Sequence, residues 1–274
     1  MSEHMIEGLR EFSPPAPLDR YIHRMAYGYF SQPLPPEQLA PDSYVKWALI
    51  LDGEPQYFDH NGPMDWHDGF CGHVPPERGI IATSDNPVRC VMANFYPSAF
   101  RQLFGRNVEE FNGRMVPPRE VIGDAIDDIY ARMRANPDPQ AMFDLILEFV
   151  NGMNERNGTN EPTPVQDLEC RIRESKGTLP VNEMAKSIGL SERQLQRKFK
   201  EEIGLSPKEF CSVVRFNHVY SHMQRTRKLD LDIALECGYF DESHMMKDLS
   251  YYLGKAPKRF AGMIRPMVDW NLGH

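Results

Sequence analysis

The sequence predicts an α+β protein with a β-rich N-terminal part that ends in helices, followed by an all-α C-terminal part. Short β-forming runs at 44–51 and 88–95 lie among proline-rich, turn-rich segments, which is typical of a small barrel or sandwich. Further along, the spacing of apolar residues becomes helical. The polar stretch at 156–164 is rich in Asn, Gly and Pro and predicts a linker. It divides the chain into predicted domains at 1–155 and 165–274.

Charge is distributed unevenly between these two parts. The chain has 274 residues and a formal net charge of −8 at pH 7. Residues 165–274 carry 18 Lys and Arg against 15 Asp and Glu, a net charge of +3. Residues 1–164 carry 13 against 24, a net charge of −11. This asymmetry indicates that the two parts have different partners, and it makes nucleic acid a candidate partner of the second part only.

Cellular location and enzymatic activity are restricted by what the sequence lacks. No apolar run reaches the roughly 18 residues that span a membrane, and the N-terminus does not have the pattern of a signal peptide. The five cysteines are scattered and form no C-x-x-C pair, which predicts reduced thiols and a cytoplasmic protein. Without a Ser-His-Asp context or a glycine-rich phosphate loop, the sequence predicts neither an enzyme nor a cofactor.

A repeated unit marks the C-terminal part. The segment SERQLQRKFKEEIGLSPKEF, residues 191–210, recurs in its pattern as DESHMMKDLSYYLGKAPKRF, residues 241–260. Each copy follows a short apolar helix and a turn that contains glycine, and each begins with a helix-capping residue, Ser191 or Asp241. Two helices joined by a short turn form a helix-turn-helix unit. The duplication therefore predicts two such units.

The long helix of the first unit has two different faces. At 100° per residue, Leu195, Phe199 and Ile203 fall on one side. The opposite side carries four polar side chains without an acid among them, namely Arg193, Gln196, Arg197 and Lys200. Arg and Gln form hydrogen bonds with the edges of guanine and adenine in the major groove. A charged stripe is more often a solvated face, but the duplication and the absence of acids favour a DNA-binding surface.

With this repeated unit, residues 165–264 resemble the DNA-binding domain of the AraC/XylS family of bacterial transcriptional regulators. The segments similar to that family's two helix-turn-helix units are MAKSIGLSERQLQRKFKEEIGLSPKEF and DIALECGYFDESHMMKDLSYYLGKAPKRF, and VVRFNHVYSHM is similar to the helix between them. The resemblance implies two recognition helices in successive major-groove segments of duplex operator DNA. It also implies an N-terminal sensor domain, often a cupin-like barrel, that binds a small-molecule effector or a second copy. For an activator it implies RNA polymerase as a further partner.

The resemblance assigns base contacts to particular residues of both units. We add the capping residue Ser191 and the last cation on the polar side of the first long helix, Lys200. The predicted DNA-binding residues are then Ser191, Arg193, Gln196, Arg197, Lys200, Glu242, Ser243, Met246 and Lys247. The second unit departs from the family, which usually has aromatic residues at Met245 and Leu249 and a basic residue at Ser250. We therefore expect the first unit to supply most charge-assisted contacts. Alternatively, Lys255, Lys258 and Arg259 supply backbone contacts for the second unit.

Two features of the N-terminal part are candidates for binding sites. Trp47, Tyr57 and Trp66 are candidates for lining an effector pocket, because such pockets are mostly apolar, although aromatic residues of a barrel are more often core. The segment 60–73 contains residue types that bind zinc or iron, namely His60, Asp65, His67, Asp68, Cys71 and His73. Their spacing matches no standard metal motif, and turn chemistry explains several of them. The sequence therefore predicts no metal.

Two other functions and one structural alternative stay open at this stage. The first function is a protein-interaction module or anti-activator whose second helix-turn-helix is degenerate. The second is a metal-binding cupin fused to a regulator domain. The segment 142–150 is apolar almost all round, so its helix is buried either within its own domain or against a second copy in a homodimer.

Overall fold

The computed structural model describes residues 8–157, 162–226, 229 and 231–253. Its N-terminal part consists of two antiparallel sheets, with strands numbered in chain order. The larger sheet has the order β1 (Arg10–Phe12), β2 (Ile22–Phe30), β9 (Val88–Phe95), β4 (Val45–Asp52), β7 (Gly69–Cys71) and β10 (Met115–Val116). The smaller sheet has the order β3 (Leu34–Gln38), β8 (Ile81–Ser84), β5 (Gln56–Asp59) and β6 (Gly62–Met64). The two β-forming runs of the sequence are the paired central strands β4 and β9.

Strand β4 shows how the larger sheet separates two cores. Successive side chains of a strand point to opposite faces, so Val45, Trp47 and Leu49 share one core with the N-terminal helices. Ala48 and Ile50 belong to a second core that includes residues of the smaller sheet. The N-terminal part therefore has three layers, with helices on one face of the larger sheet and the smaller sheet on the other.

Among its described residues, the N-terminal part also contains four α-helices, one before strand β10 and three after it. They are α1 (Pro97–Phe104), α2 (Pro118–Ile122), α3 (Ala125–Ala135) and α4 (Pro139–Asn157). The apolar run of α4 buries five side chains in the core beneath β4, namely Met142, Phe143, Leu145, Ile146 and Val150. Most of the apolar surface of α4 is therefore buried in the core of its own domain. This is the first of the two alternatives predicted for this helix.

The C-terminal part is helical throughout its described residues. The helices are α5 (Pro164–Glu174), α6 (Val181–Ser187), α7 (Glu192–Glu202), α8 (Pro207–Thr226), α9 (Leu231–Glu236) and α10 (Glu242–Leu253). They share one core, and the predicted α+β fold with a β-rich N-terminal domain and a helical C-terminal domain is confirmed. The predicted linker, 156–164, overlaps the last two residues of α4 and the first residue of α5, and the domain limits stay a prediction. Within the described ranges, no helix is long and apolar enough to cross a membrane.

Helix α5 joins the two parts through buried charges. The Glu169 carboxylate accepts hydrogen bonds from the Ser98 backbone N–H (3.1 Å) and hydroxyl (2.5 Å) in the first turn of α1. The Arg173 guanidinium donates to Glu169 at 2.7 Å and to the hydroxyl and carbonyl oxygens of Ser43 at 2.7 and 2.6 Å. It lies over the rings of Tyr44 (4.3 Å), Tyr96 (5.2 Å) and Phe210 (5.1 Å). We call this group the Arg173 cluster.

Candidate DNA-binding surface

The first helix-turn-helix unit consists of α6 and α7, and α7 has a well-formed start. The Ser191 hydroxyl accepts the backbone N–H of Gln194 at 3.3 Å, and the Gln194 side-chain oxygen accepts the backbone N–H of Ser191 at 2.9 Å. This reciprocal pair satisfies two of the N–H groups that have no partner within the helix. Ser191 therefore fixes where α7 begins, which in turn fixes the direction of the side chains that follow.

Helix α7 separates apolar and polar side chains as the sequence predicts. Leu195 and Phe199 are completely buried, and Arg193, Gln196 and Arg197 are exposed. Neither Arg193 nor Arg197 forms an ion pair with any residue that the structure describes. Both guanidinium groups are therefore accessible to an anionic partner.

Lys200 differs from the two arginines of the same arc. Its ammonium group lies 3.8 Å from a carboxylate oxygen of Glu109 and 3.6 Å from one of Glu209. Glu109 belongs to the 3-10 helix Val108–Phe111 of the N-terminal part. These two carboxylates would compete with a DNA phosphate for Lys200, so we expect it to contribute less to DNA binding than Arg193 or Arg197.

The second unit, α9 and α10, has the same architecture and a less basic surface. The Asp241 carboxylate accepts the backbone N–H of His244 at 2.8 Å and caps α10, while Met245 and Leu249 are buried. Of the predicted DNA-binding residues of α10, Glu242, Ser243 and Lys247 are exposed. Met246 is half-buried and packs against the helical core. Lys247 is thus the one exposed cation within α10, and Lys255, Lys258 and Arg259 lie outside the described residues.

A cavity lies on the opposite face of β4 from the N-terminal helices. Its volume is about 90 Å³, and its wall is mostly apolar and includes Tyr57 and Trp66, whose rings are 5.6 Å apart. The ammonium group of Lys46 pairs with the Asp42 carboxylate at 2.5 Å, and both residues line the cavity. Burial raises the pKa of Tyr57, so its phenol stays neutral.

Trp47, the third residue predicted to line an effector pocket, points away from this cavity. It is completely buried in the core under the helices, where its ring stacks on Phe70 at 4.9 Å and lies 5.6 Å from Phe149. Strand alternation explains the difference, since its neighbours Lys46 and Ala48 line the cavity. Of the three aromatic candidates, only Tyr57 and Trp66 are placed to contact a molecule in this cavity.

The residues of the candidate metal segment are not brought together. His67 contacts Asp65 at 3.1 Å on the surface, whereas the Asp68 carboxylate accepts the hydroxyl of Tyr130. His73 interacts through Nδ1 with the carbonyl oxygen of Asp42 at 3.1 Å. Among the described residues, no three His, Cys, Asp or Glu side chains are grouped so that they could hold a metal ion.

Comparisons with known proteins agree with this geometry. The family model described as "Helix-turn-helix domain" matches residues 184–263. The chain is 24% identical over 123 residues to the HTH-type transcriptional regulator ArgR of Pseudomonas aeruginosa, covering 42% of this chain and 37% of that protein. It is 27% identical over 93 residues to an uncharacterized HTH-type transcriptional regulator of Staphylococcus aureus, covering 34% of this chain and 12% of that one. The chain therefore spans well under half the length of the curated relatives it matches.

A solved structure of ToxT is similar over both parts of the chain. ToxT from Vibrio cholerae O395 aligns with 88% of this chain and 98% of its own, with a TM-score of 0.50 and 12% sequence identity. At this identity the likeness shows the fold alone, in which a β-rich N-terminal part precedes a helical part.

Helices α6 and α7 form one helix-turn-helix unit and α9 and α10 a second, and α8 joins them. Each long helix has one buried and one exposed face, so this part of the chain has the architecture of a double helix-turn-helix domain. More particularly, residues 184–263 match a helix-turn-helix model of the AraC type, so the resemblance seen in the sequence is confirmed for this part of the chain.

Proposed function

We propose that this protein is a sequence-specific transcriptional regulator that binds duplex operator DNA through α7 and α10. The observation that carries the proposal is the exposed arc of Arg193, Gln196 and Arg197, opposite the buried side chains of Leu195 and Phe199. The similarity of the chain to HTH-type transcriptional regulators supports it. Activation through contact with RNA polymerase is the mode of regulation that the family resemblance implies, and it stays a prediction.

Selection of bound sequences from random duplex DNA tests this function. We expect one enriched site with two preferred segments about 34 Å apart, because the two recognition helices contact successive turns of the major groove. Binding to unselected duplex at low salt should weaken steeply as salt is added, because phosphate neutralisation releases counterions. The absence of both enrichment and low-salt binding would contradict the proposal and favour the protein-interaction alternative.

We further propose that a small, mainly apolar molecule in the cavity controls DNA binding. Two hydrogen-bonded routes connect the cavity wall to the helix-turn-helix domain, one direct and one through Asn112. The carbonyl oxygen of Pro41, between the lining residues Ala40 and Asp42, accepts the Asn217 side chain of α8 at 2.9 Å. Next to the lining residue Gly72, the backbone N–H of His73 donates to the Asn112 side-chain oxygen at 3.0 Å.

Asn112 continues this second connection to the end of the first recognition helix. Its side-chain N–H donates to the carbonyl oxygen of Gly204 at 2.7 Å, just beyond α7. Gly204 has φ of +84°, and a Cβ there would lie 3.0 Å from Val108 and 3.1 Å from Asn112, so glycine permits both the turn and the close approach. A change in the cavity wall at Gly72 can therefore reach α7 through one side chain.

Gly72→Ala should lower DNA affinity at least threefold by displacing Asn112. A Cβ at Gly72 would lie 2.7 Å from the Asn112 side-chain oxygen, so Asn112 has to move and its bond to Gly204 weakens. Gly8→Ala is the matched control, because a Cβ at Gly8 would meet no atom closer than 3.7 Å and Gly8 lies outside the groove proposed below as an interface. Fluorescence anisotropy with the selected site measures both variants. Equal affinities of Gly72→Ala and wild type would contradict the connection.

We also propose that the protein forms a homodimer through the groove between α3 and α4. This groove has a volume of about 450 Å³ and is lined by apolar side chains, among them Met153, and by charges of both signs. The Arg132–Glu148 ion pair, 2.7 Å long, is part of its wall. A surface that carries both charge signs can pair with a copy of itself across a two-fold axis.

Sedimentation of the full chain tests the dimer. At tens of micromolar, roughly the weak end of useful affinity, we expect a dimer for the wild type and a monomer for Met153→Glu, which places a charge in the groove. Leu9→Glu is the control, because Leu9 is an exposed leucine outside the groove. A monomeric wild type would show that the groove is not an interface.

A further inference from the structure

Phe240 is the most exposed large hydrophobic side chain of the described residues, with 86% of its surface accessible. It lies in the turn between α9 and α10, directly before the capping residue Asp241. A single exposed apolar residue is common on protein surfaces. The position of this one, at the start of a recognition helix, calls for a functional explanation.

A comparison of the two helix-turn-helix units shows which residues of this turn pack in the core. Leu190, which directly precedes the cap of the first unit, is half-buried. In the turn after the short helix it corresponds to Tyr239, because the Leu190 N–H donates to the Ala185 carbonyl oxygen as the Tyr239 N–H donates to that of Ala234. Phe240 is therefore the extra residue of the second turn.

A hydrophobic residue before the cap commonly packs against the fourth residue of the helix, which is Met245 in α10. Met245 is completely buried although Phe240 remains in solvent. Tyr239, the preceding residue, is buried instead, so the core of the second unit does not need Phe240.

The surroundings of Phe240 distinguish between the kinds of DNA contact it can make. Residues at the N-terminus of a recognition helix approach base edges in the major groove. The neighbouring Asp241 and Glu242 are acidic, so this end of α10 disfavours a phosphate. The apolar feature of the major groove is the C5-methyl group of thymine, which Phe contacts in known complexes.

We propose that Phe240 is a specificity-determining residue of the second unit and packs against a thymine methyl group in the major groove. The proposal rests on the proposed function as a DNA-binding regulator and adds a residue that the family resemblance does not assign. It explains how α10, whose one exposed cation is Lys247 within the described helix, contributes sequence preference without ionic contacts.

The test replaces each thymine of the selected site by deoxyuridine, which lacks only the methyl group, and measures Kd for wild type and Phe240→Ala. For wild type we expect one or two positions, all in the segment bound by α10, at which the replacement weakens binding about fourfold, the effect of one buried methyl group. For Phe240→Ala we expect binding about tenfold weaker than wild type and no penalty above about 1.5-fold at the same positions. This loss of the penalty is the coupling that a direct contact produces.

Three controls separate this contact from other effects. Leu235→Ala truncates a different exposed apolar side chain, which lies on α9 and is 54% accessible. It should leave Kd and the deoxyuridine penalty unchanged. Arg197→Ala should weaken binding but retain the penalty, because it changes the first unit only. Equal melting temperatures for wild type and Phe240→Ala show that the fold is intact, as expected for an exposed side chain.

The outcomes that would overturn the proposal are distinct from a failure of the proposed function. Phe240→Ala binding as tightly as wild type would exclude a DNA contact by this residue. Weaker binding with the deoxyuridine penalty retained would show that Phe240 contacts something other than the thymine methyl. A wild-type protein that binds no duplex DNA would overturn the proposed function, and this inference with it.

Discussion

The double variant Arg193→Ala/Arg197→Ala is expected to lose about 2–6 kcal/mol of specific DNA-binding free energy, at about 1–3 kcal/mol for each bidentate base contact. Both guanidinium groups are exposed on one face of α7 and form no ion pair with a described residue. No ion pair with a described residue therefore has to be broken before they bind DNA. Each single variant should also relax base preference at one position of the site.

Affinity measured by anisotropy at several salt concentrations checks this prediction. Each lost phosphate contact flattens the plot of log affinity against log salt by about 0.9, so the double variant flattens it by up to about two units if the arginines also contact phosphates. Lys247→Ala in α10 should flatten it by at most about one unit. Lys198→Ala is the matched control, because Lys198 lies on the same helix outside the arc, where it pairs with Glu202 at 3.5 Å. Wild-type affinity in the double variant would show that α7 does not contact DNA.

Arg173→Met is expected to lower the free energy of unfolding by about 3–5 kcal/mol, the usual cost of removing one partner of a buried ion pair. Methionine fills much of the same space, but it leaves the buried Glu169 carboxylate without its cation. It also leaves the hydroxyl and carbonyl oxygens of Ser43 without their donor. The loss therefore combines an unpaired charge with unpaired hydrogen-bonding groups.

Denaturant unfolding of the full chain measures this loss. Arg171→Met, on the exposed side of the same helix, is the control and should change stability by less than about 0.5 kcal/mol. Adding Glu169→Gln to Arg173→Met should recover part of the loss, because the carboxylate charge is removed as well. Arg173→Met with wild-type stability would mean that the Arg173 cluster does not stabilise the contact between the two parts.

The elements that the sequence predicts well are those with a local periodic signal. The faces of α7 follow from the 3.6-residue period, and the caps of α7 and α10 follow from Ser191 and Asp241 at the start of each repeat. Strand alternation in β4 likewise places Trp47 on the opposite face of the sheet from its neighbours Lys46 and Ala48. The sequence alone could not show which face of β4 borders a cavity, because both faces are apolar and buried.

The residues that join the two parts carry no local signal. Arg173 bonds with Ser43, 130 positions earlier, and Asn112 bonds with Gly204, 92 positions later. In the sequence Arg173 is one of several charges on an amphipathic helix, and Asn112 lies in a turn. Lys200 illustrates the same limit, because its neighbour Glu109 is distant in the sequence. Only the folded arrangement distinguishes these side chains from others of their kind.

The contacts made by α5 and α8 also have a consequence for the order in which the molecule assembles. Domains generally fold as units, starting from the N-terminus during synthesis. Ser43, and Pro41, which accepts Asn217 from 176 positions later, are already in place in the chain when α5 leaves the ribosome. We therefore expect the helices that carry the candidate DNA-binding surface to form against a surface that is already folded. The first domain would then act as a template for the placement of the second, and the contacts between them, which close long loops, would form last.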